Sequence, residues 1–479
     1  MTNNQIIKKS TCLFCSLGCG VAFRVLGEQV VAIDYDKENA INRGSLCARG
    51  YYNLEILSHP QRLIEPQIGK RKVSWEEAIT FAREGLKEFR AEEVGIVISN
   101  FASNEDAYLV AELAKYLGTN NVSALGDFSD LEAYQGENWA EANLASSEEI
   151  GEVEALLIIG DILTRSPVLS KRVNKVKYGK RGNQIVVVDP NITHTAWFAT
   201  NHLQNKPGTE ALLLAAMTKV LAPEKLDLDL DQVAKVVGVE KEAIINTAKA
   251  FASAPRGIII FVPSLTKERN DLINYFTKIL ASLTNKKYIT FYSFGNALGV
   301  SRILDHQLKN RISYPELLAR VGNGEIKAML MFGEELDAPE VEKKVRLLKF
   351  ALKTKFFPEG EIGDTEVLLP LASQHELGGS YVLADGRAVE LQPVVSPVGA
   401  KSHGEVATLL AQGAVNFEKV KQQVKSILTA GKVSEKVTLK EKVLEVQKLK
   451  GGESVPIMNI THFGNNRLVR NFFWYRVNN

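Results

Sequence analysis

The sequence predicts an α/β protein, with a small N-terminal β layer followed by doubly wound α/β domains. Two observations lead to this fold class. All four cysteines lie in the first tenth of the 479-residue chain, and short β-branched runs farther along alternate with segments of helical length. A single core usually stops growing near about 250 to 300 residues, so we expect more than one packed unit.

The four cysteines have the spacing of an iron-sulfur site. Cys12, Cys15 and Cys19 fall within eight residues, and Cys47 follows after a short excursion. Three crowded thiolates with a distant fourth suit one compact 4Fe-4S cluster. Structural zinc usually takes its cysteines as two separated pairs, and disulfides make little sense in one end of so large a chain. Zinc and unligated cysteines are the remaining alternatives.

Residues 1–66 are predicted to form the cluster-binding domain. Within them, residues 21–25 and 29–34 have the pattern of a hairpin that turns at Gly27 and Glu28. Residues 58–66 contain two prolines, which stop any helix, so this stretch is predicted to be an irregular link.

A second region, residues 67–415, has the alternation of strand and helix that is typical of doubly wound sheets. Ser74 and Glu77 form a capping-box pattern for a helix that ends at about Phe89. Apolar runs after it predict strands in two sheets. These strands cover residues 94–99, 155–159, 184–188, 257–262, 288–292, 328–332 and 367–369.

Ligands of such sheets bind beyond the carboxyl ends of the strands. The residues in those positions are Asp161, Asp189, Gly208-Thr209-Glu210, Gly333-Glu334 and Gly378-Gly379-Ser380. For each of them alone, a helix cap or a tight turn is the more ordinary interpretation, because Gly, Asp and Ser commonly separate a strand from a helix.

Composition excludes some classes of partner. The net charge is +2, from 58 basic and 56 acidic side chains, so there is no electrostatic footprint for nucleic acid. No apolar run approaches the roughly 18 residues of a membrane span. Residues 1–10 are polar and carry no export signal, which predicts a cytoplasmic protein.

The order of the motifs resembles the molybdopterin oxidoreductase family over residues 12–410. The matching motifs are Cys12-x2-Cys15-x3-Cys19, Cys47-Ala48-Arg49-Gly50, Arg62-Leu63, Ser74-Trp75-Glu76-Glu77-Ala78, Val188-Asp189-Pro190, Pro207-Gly208-Thr209-Glu210, Leu369-Pro370, Glu376-x-Gly378-Gly379-Ser380 and Asp385-Gly386-Arg387.

This resemblance implies two pterin guanine dinucleotides around molybdenum or tungsten, as in formate and formylmethanofuran dehydrogenases. It implies a place for Arg49 between the cluster and the nearer pterin. The implied cofactor-binding residues are Arg49, Asp161, Asp189, Gly208, Thr209, Glu210, Gly333 and Gly379.

Three features depart from the family. No cysteine follows Cys47, so the candidate metal ligands in the expected turn are the oxygens of Asp127, Ser129 and Asp130. Asp161 and Glu334 stand where the family has amides, and a carboxylate cannot donate a hydrogen bond as an amide can. The stretch after about residue 416 is lysine-rich and helix-like, without room for the family's C-terminal barrel.

These departures favour a non-catalytic electron-transfer subunit in which the metal-pterin site is lost, similar to the largest iron-sulfur subunit of respiratory complex I. The alternative is a Mo or W pterin dehydrogenase subunit of the formate or formylmethanofuran type, and a structural role is a third possibility. The expected partners are other iron-sulfur or flavin redox subunits. Residues 416–479 are predicted to be a helical segment with a docking tail that ends in Phe472-Phe473-Trp474-Tyr475.

Overall fold

The computed structural model describes residues 5–125, 143–263, 270–292, 294–333, 343–358, 363, 365–413, 416–430 and 445–449. One parallel sheet and one mostly parallel sheet, both flanked by helices, form most of this part of the chain, and a three-stranded antiparallel sheet lies at the N-terminus. The predicted α/β fold class is confirmed.

The described strands, in chain order, are β1 Ile6–Thr11, β2 Gly20–Leu26, β3 Gln29–Asp34, β4 Gln67–Ile68, β5 Arg71–Lys72, β6 Val94–Ile98, β7 Val122–Ala124, β8 Ala155–Ile159, β9 Gln184–Val188, β10 Asn201–Leu203, β11 Gly257–Phe261, β12 Lys287–Thr290, β13 Ala328–Phe332, β14 Phe350–Lys355, β15 Glu366–Pro370, β16 Gly379–Val382 and β17 Ala388–Leu391.

The described helices are α1 Ala48–Ser58, α2 Trp75–Lys87, α3 Asn104–Leu117, α4 Ile162–Arg165, α5 Ser170–Gly179, α6 His194–Trp197, α7 Glu210–Leu221, α8 Leu230–Val237, α9 Lys241–Ser253, α10 Asn270–Thr284, α11 Ala297–Gln307, α12 Tyr314–Gly322, α13 Gln374–Leu377, α14 His403–Leu410 and α15 Phe417–Ala430.

The N-terminal layer contains the predicted hairpin, β2 and β3, and one strand more. β1 pairs antiparallel with β2 from Ile6 opposite Val25 to Thr11 opposite Gly20. α1 begins directly after Cys47, where no helix was predicted. The side chain of Cys47 makes no capping hydrogen bond, and the first turn of α1 holds no acidic residue, so the usual signals of a helix start are missing.

The five-stranded sheet has the order β10-β9-β8-β11-β12, and all its strands are parallel. From β8 the chain continues outward to β9 and β10, and from β11 it continues in the opposite direction to β12. The strand order therefore reverses between β8 and β11, and in open parallel sheets such a switch point is the usual place of a ligand crevice.

The seven-stranded sheet has the order β5-β4-β15-β14-β13-β6-β7, and its strands from β15 to β7 are parallel. Its switch point lies between β6 and β13. α2 begins as predicted, with the Ser74 hydroxyl accepting from the Glu77 amide at 3.1 Å. The Glu77 carboxylate pairs with Arg71 at 2.7 Å.

The β16–β17 hairpin joins the N-terminal layer to the rest of the molecule. Tyr381, Leu383 and Leu391 of this hairpin segment share a buried cluster with Leu13. Because the layer shares its core with residues so far along the chain, the domain boundary at residue 66 stays a prediction. None of the described helices is long and apolar enough to cross a membrane.

Candidate functional site

The four cysteines come together around one small cavity. Cys12, Cys15, Cys19 and Cys47 all line it. The loop closes on itself through a 2.7 Å hydrogen bond from the Cys12 amide to the Cys19 carbonyl. Gly18 has a φ of +76°, a left-handed conformation that favours glycine and turns the chain back toward the third thiol.

Burial makes the thiols of Cys12 and Cys19 poor acids. Burial raises the pKa of Cys12 to about 12, against a smaller opposing effect of hydrogen bonds from the Phe14 amide and the Asn53 side chain. Burial likewise raises the pKa of Cys19, and the charges of the neighbouring cysteines add to the rise. Four thiolates at this place therefore need positive charge among them, and the iron of a cluster supplies it.

The cysteines are spread around a space. Within the ranges that the structure describes, no three His, Cys, Asp or Glu side chains come close enough to hold one metal ion. Four cysteine thiols around one cavity are the donor set that a 4Fe-4S cluster takes. The arrangement of the cysteines fits a 4Fe-4S cluster.

The cysteine loop rests on the end of the five-stranded sheet. A Cβ added to Gly295 would lie 2.0 Å from the carbonyl oxygen of Leu13, so the loop backbone lies directly on this glycine. The Ser16 hydroxyl donates to the Tyr292 carbonyl at 3.2 Å. The hydroxyl of Ser166 lies 3.5 Å from the sulfur of Cys15. Residues distant in sequence therefore hold the loop in place.

Arg49 lies beside the cysteines and reaches toward the α/β region. It lines the cavity, and its guanidinium donates to the carbonyl of Arg165 and, at 3.4 Å, to that of Thr164. These carbonyls belong to α4, whose N-cap is Asp161. Arg49 thus links the cluster cavity to the element that follows β8, and its place between cluster and cofactor stays a prediction.

A chain of hydrogen bonds connects α1 to β1 behind the cysteine loop. Asn53 in α1 donates through Nδ2 to the Gly50 carbonyl at 2.9 Å. Its Oδ1 lies 2.9 Å from Nε2 of His375. The other ring nitrogen, Nδ1, lies 3.0 Å from the hydroxyl of Ser10.

A larger pocket of about 460 Å³ lies at the carboxyl end of the seven-stranded sheet. Phe14, which also lines the cysteine cavity, forms part of its wall. Ser99 and Phe101, which follow β6 at the switch point, form another part. The pocket has the size of a small-molecule site, and a single phenylalanine is shared between the two cavities.

Charged groups of both signs line this pocket, but acids predominate, with Glu105, Asp106, Glu390 and Glu405 facing only Lys421. Such a lining suits a neutral heterocycle with donors, such as a pterin ring, and repels a diphosphate. The pterin part of the implied cofactor fits this pocket, and its diphosphate does not.

The predicted residues of the five-stranded sheet lie along one edge. Asp161 follows β8 at the switch point, and Asp189 follows the adjacent strand β9. Asp161 accepts hydrogen bonds from the Thr164 amide at 3.3 Å and from the Thr195 hydroxyl. The Asp189 carboxylate accepts from the Asn191 amide at 2.8 Å. Both carboxylates therefore also act as turn residues.

The Gly208-Thr209-Glu210 turn follows β10 and starts α7. Gly208 has a φ of +77°, and a Cβ there would meet nothing within 4 Å, so space is open above it. Thr209 donates to the Lys206 carbonyl at 2.6 Å, and Glu210 accepts from Asn205 at 2.8 Å.

Of the predicted residues on the seven-stranded sheet, Gly333 follows β13 at the switch point and Gly379 lines the large pocket. A Cβ on Gly379 would lie 2.8 Å from that of Ser103. Beside it, the Ser380 amide and hydroxyl donate to the Glu105 carboxylate at 2.8 and 2.7 Å. This close approach brings the Gly378-Gly379-Ser380 turn onto the start of α3.

Some predicted residues lie outside the described residues. These are the candidate metal ligands Asp127, Ser129 and Asp130, the acidic Glu334, and the tail from residue 450 to 479.

A comparison with protein families decides the relationship. The model of the molybdopterin oxidoreductase family matches residues 62–404. The chain belongs to the molybdopterin oxidoreductase family. The model of this family's Fe4S4 domain matches residues 7–59, the part of the molybdopterin oxidoreductase that contains the four cysteines.

Several relatives are redox enzymes. The F420-dependent formate dehydrogenase subunit alpha of Methanocaldococcus jannaschii is 25% identical, over 82% of this chain and 68% of that protein. The NADPH-Fe(3+) oxidoreductase subunit alpha of Geobacter sulfurreducens is 24% identical, over 84% and 55%. Acetylene hydratase from Pelobacter acetylenicus shares the fold, with a TM-score of 0.66 at 17% identity over 85% of this chain and 69% of that one.

Sequence reasoning missed the residues that support the cysteine loop. Asn53, Ser166, Gly295 and His375 come from four distant places in the chain, and no spacing rule connects them to the cysteines. Of these four residues, only Asn53 lies near the cysteines in sequence, and α1, which contains it, was not predicted.

Proposed function

We propose that this chain is a molybdenum- or tungsten-pterin dehydrogenase subunit of the formate dehydrogenase type, with one 4Fe-4S cluster that carries electrons away from the metal. The observation that carries the proposal is the similarity to formate dehydrogenase alpha subunits over 82% to 84% of the chain. Sequence reasoning had favoured a lost metal site, and these relatives support the alternative better.

Cys12, Cys15, Cys19 and Cys47 are the proposed ligands of the cluster. Support comes from their common cavity and from the match of residues 7–59 to the family's Fe4S4 domain. Arg49, at the edge of the same cavity, is proposed to lie on the route between the cluster and the pterin.

The proposed cofactor contacts lie at both switch points. On the five-stranded sheet they are Asp161, Asp189, Gly208, Thr209 and Glu210, and on the seven-stranded sheet Gly333 and Gly379. The shared wall at Phe14 supports this placement, because it leaves one side chain between a pterin ring in the large pocket and the cluster cavity. When bound, the metal would supply two-electron exchange with the substrate.

The second candidate is an electron-transfer subunit without molybdenum or tungsten. The observation that favours it is that all four cysteines of the chain are taken by the cluster cavity. No thiolate of this chain is left for molybdenum or tungsten. The protein ligand of that metal would have to be an oxygen, such as that of Asp127, Ser129 or Asp130, or a residue of another chain.

We propose that the partners are other iron-sulfur or flavin redox subunits. Two of the relatives are named as alpha subunits of oxidoreductases. An enzyme with one cluster also needs an acceptor for the electrons that the cluster receives.

Formate tests the proposal directly. The full chain, purified without oxygen together with its co-purifying partners, is treated with formate, and the electron paramagnetic resonance of the reduced cluster is recorded. We expect formate to produce the same signal as dithionite. A cluster that dithionite reduces and formate leaves oxidised would contradict the dehydrogenase proposal and favour the second candidate.

A further inference from the structure

The helix that follows the cysteine cavity is strongly basic. Between Asp161 and Asp189 the chain holds seven basic side chains and no acidic one, although the net charge of the whole chain is only +2. The basic residues of this stretch are Arg165, Lys171, Arg172, Lys175, Lys177, Lys180 and Arg181. All but the first lie in α5 or within two residues of its end, so positive potential is concentrated on one element.

The start of α5 lies at the wall of the cysteine cavity. Residues 166–168, which directly precede the helix by one residue, line that cavity. The Lys171 ammonium donates to the Ser45 hydroxyl at 2.6 Å, and Ser45 is two residues before Cys47 in the chain. A protein that docks on α5 therefore lies next to the cluster site.

One side of α5 is buried and the other is free to meet a partner. Val173 and Val176 are buried and share a hydrophobic cluster with Ile158 of β8 and with Cys12 and Cys19. The helix and the cysteine loop thus pack on the same face of the five-stranded sheet. The exposed basic residues of the helix and its end are Lys171, Lys175, Lys180 and Arg181.

Most of these charges have no acidic partner within the part of the chain that the structure describes. Lys175 pairs with Glu152 at 2.5 Å. The other five basic residues of α5 and its end take part in no ion pair among the described residues. Surface charges of one sign attract a partner of the opposite sign and speed its association, so this helix suits an acidic partner.

Exposed aromatic side chains lie beside these charges. Tyr178 is 71% exposed and Trp197 is 73% exposed. The Lys177 ammonium lies 5.6 Å from the ring centroids of both Tyr178 and Phe198, and Trp197 packs edge-on against Phe198 at 5.1 Å between centroids. Tryptophan and tyrosine are enriched at protein interfaces, which distinguishes this surface from an ordinary solvated charged helix.

We propose that the outer side of α5, together with Tyr178 and Trp197, is the docking surface of an acidic redox protein that exchanges electrons with the 4Fe-4S cluster. This inference rests on the proposed function, because it identifies the partner of the proposed cluster by its charge. The helix is about 15 Å long, and a standard interface covers about 800 Å² on each partner. One partner can therefore cover the whole docking surface beside the cysteine cavity.

The test uses a small acidic ferredoxin as the probe. The full chain with its cluster is purified without oxygen and washed with concentrated salt to remove bound partners. Stopped-flow absorbance gives the second-order rate constant for transfer of one electron between ferredoxin and cluster, in the direction that their measured potentials favour. At low ionic strength Lys171→Glu/Lys180→Glu/Arg181→Glu should lower this rate constant at least about tenfold, because attraction becomes repulsion. Added salt should slow the wild type and narrow the difference.

Lys225→Glu/Lys235→Glu/Lys249→Glu is the matched control. It changes the net charge by the same amount at three exposed lysines. These lysines lie in or just before α8 and α9, which pack on the opposite face of the five-stranded sheet, where Val233 of α8 shares a buried cluster with Leu157 of β8. The control should keep the wild-type rate constant. Equal rate constants for the two triple variants, whether lowered or unchanged, would overturn the inference.

A measurement on the wild type decides the case if the variant of the docking surface holds no cluster. Rising salt should slow electron transfer with the acidic ferredoxin, and it should not slow transfer with a basic c-type cytochrome, which the surface repels. A ferredoxin rate constant that stays constant as salt rises would contradict the proposal. Tighter binding of a single-stranded oligonucleotide than of ferredoxin would also contradict it.

Formate plays no part in these experiments, because ferredoxin and cytochrome exchange electrons with the cluster directly. A cluster that formate leaves oxidised but that reacts with ferredoxin as described would refute the dehydrogenase proposal and leave the docking surface standing. A cluster that formate reduces, with equal ferredoxin rate constants in the two triple variants, would refute the docking surface alone.

Discussion

Single residues that have no space for a larger side chain, or that are buried from solvent, fix the position of the cysteine loop. At Gly295 the space for a side chain is occupied by the backbone of Leu13, at a distance of 2.0 Å that real Cβ atoms do not reach. A backbone contact cannot yield as a flexible side chain can, so any larger residue must push the loop away from the sheet.

Gly295→Ala should therefore displace the cysteine loop and lower the cluster content of the purified protein. The expected loss in the free energy of unfolding is about 1–3 kcal/mol, as for other overpacked sites. Gly179→Ala is the control, because a Cβ there meets nothing nearer than 3.9 Å. Iron and sulfide analysis with urea unfolding makes the comparison, and equal cluster content in the two variants would contradict this account of the loop.

Buried histidines predict how stability depends on pH. Burial lowers the pKa of His403 to about 4, although the charge of Asp106 opposes the shift. An unfolded histidine has a pKa of about 6.5, so between these values the unfolded chain binds more protons than the folded one. Stability should fall as the pH falls from about 6.5 to about 4.

His403→Gln should make this acid dependence shallower, by up to about 1.4 kcal/mol per pH unit, because glutamine does not titrate. Glutamine can still bond the Thr354 hydroxyl, which lies 3.0 Å from Nδ1 of His403. The measurement is urea unfolding at several pH values. The exposed His194, replaced by Gln, serves as control. The same slope in the wild type and in His403→Gln would contradict the assignment.

Among the elements, the β16–β17 hairpin links the cluster layer to the α/β region. Leu383, in the turn of this hairpin, is buried against the cysteine loop, and the Cβ position of Gly18 lies 2.6 Å from its methyl carbons. The Ala384 amide donates to the Ser16 carbonyl at 2.8 Å. The loop is thus covered by a hairpin more than 360 residues away in the chain.

Leu383→Ala should open a cavity beneath the cysteine loop and cost about 2–5 kcal/mol of stability. The cluster should also be lost faster to an iron chelator, followed by the fading of its visible absorbance. Leu347→Ala, at a residue 63% exposed, is the control. If the two variants released iron at the same rate, the hairpin would have no part in holding the cluster.

The elements differ in how far the sequence could predict them. Strands made of β-branched residues, such as β8 and β9, were predicted to the residue because their burial on both faces leaves a continuous apolar run. β14 was missed because it contains Lys353 and Lys355. Both are buried in the structure, and Lys353 pairs with Glu366 of β15 at 3.2 Å, so a charged sequence hides an interior strand.

The same contrast holds for the site. The cysteines could be found from sequence because a cluster needs a fixed spacing of thiolates. Asn53 and His375 could not, because 322 positions separate them and an amide–imidazole contact has no sequence pattern. The roles of Asp161, Asp189 and Gly333 remain predictions, supported by their places at the ends of strands.

At the scale of the whole molecule, the two large sheets place their switch points beside one cluster layer. The cysteine loop lies on the end of the five-stranded sheet, and Phe14 of the same loop faces the pocket at the end of the seven-stranded sheet. An electron released in that pocket would have one phenylalanine to pass before the cysteine cavity. This arrangement suits a molybdopterin oxidoreductase whose cluster is the first acceptor.

The metal content of the full chain, purified without oxygen, distinguishes a molybdenum or tungsten dehydrogenase subunit from an electron-transfer subunit. We expect roughly four iron and four sulfide per chain, together with molybdenum or tungsten in a constant ratio to the cluster. Iron and sulfide without either metal would contradict the dehydrogenase proposal and leave the electron-transfer subunit. Zinc in place of iron would contradict the cluster itself.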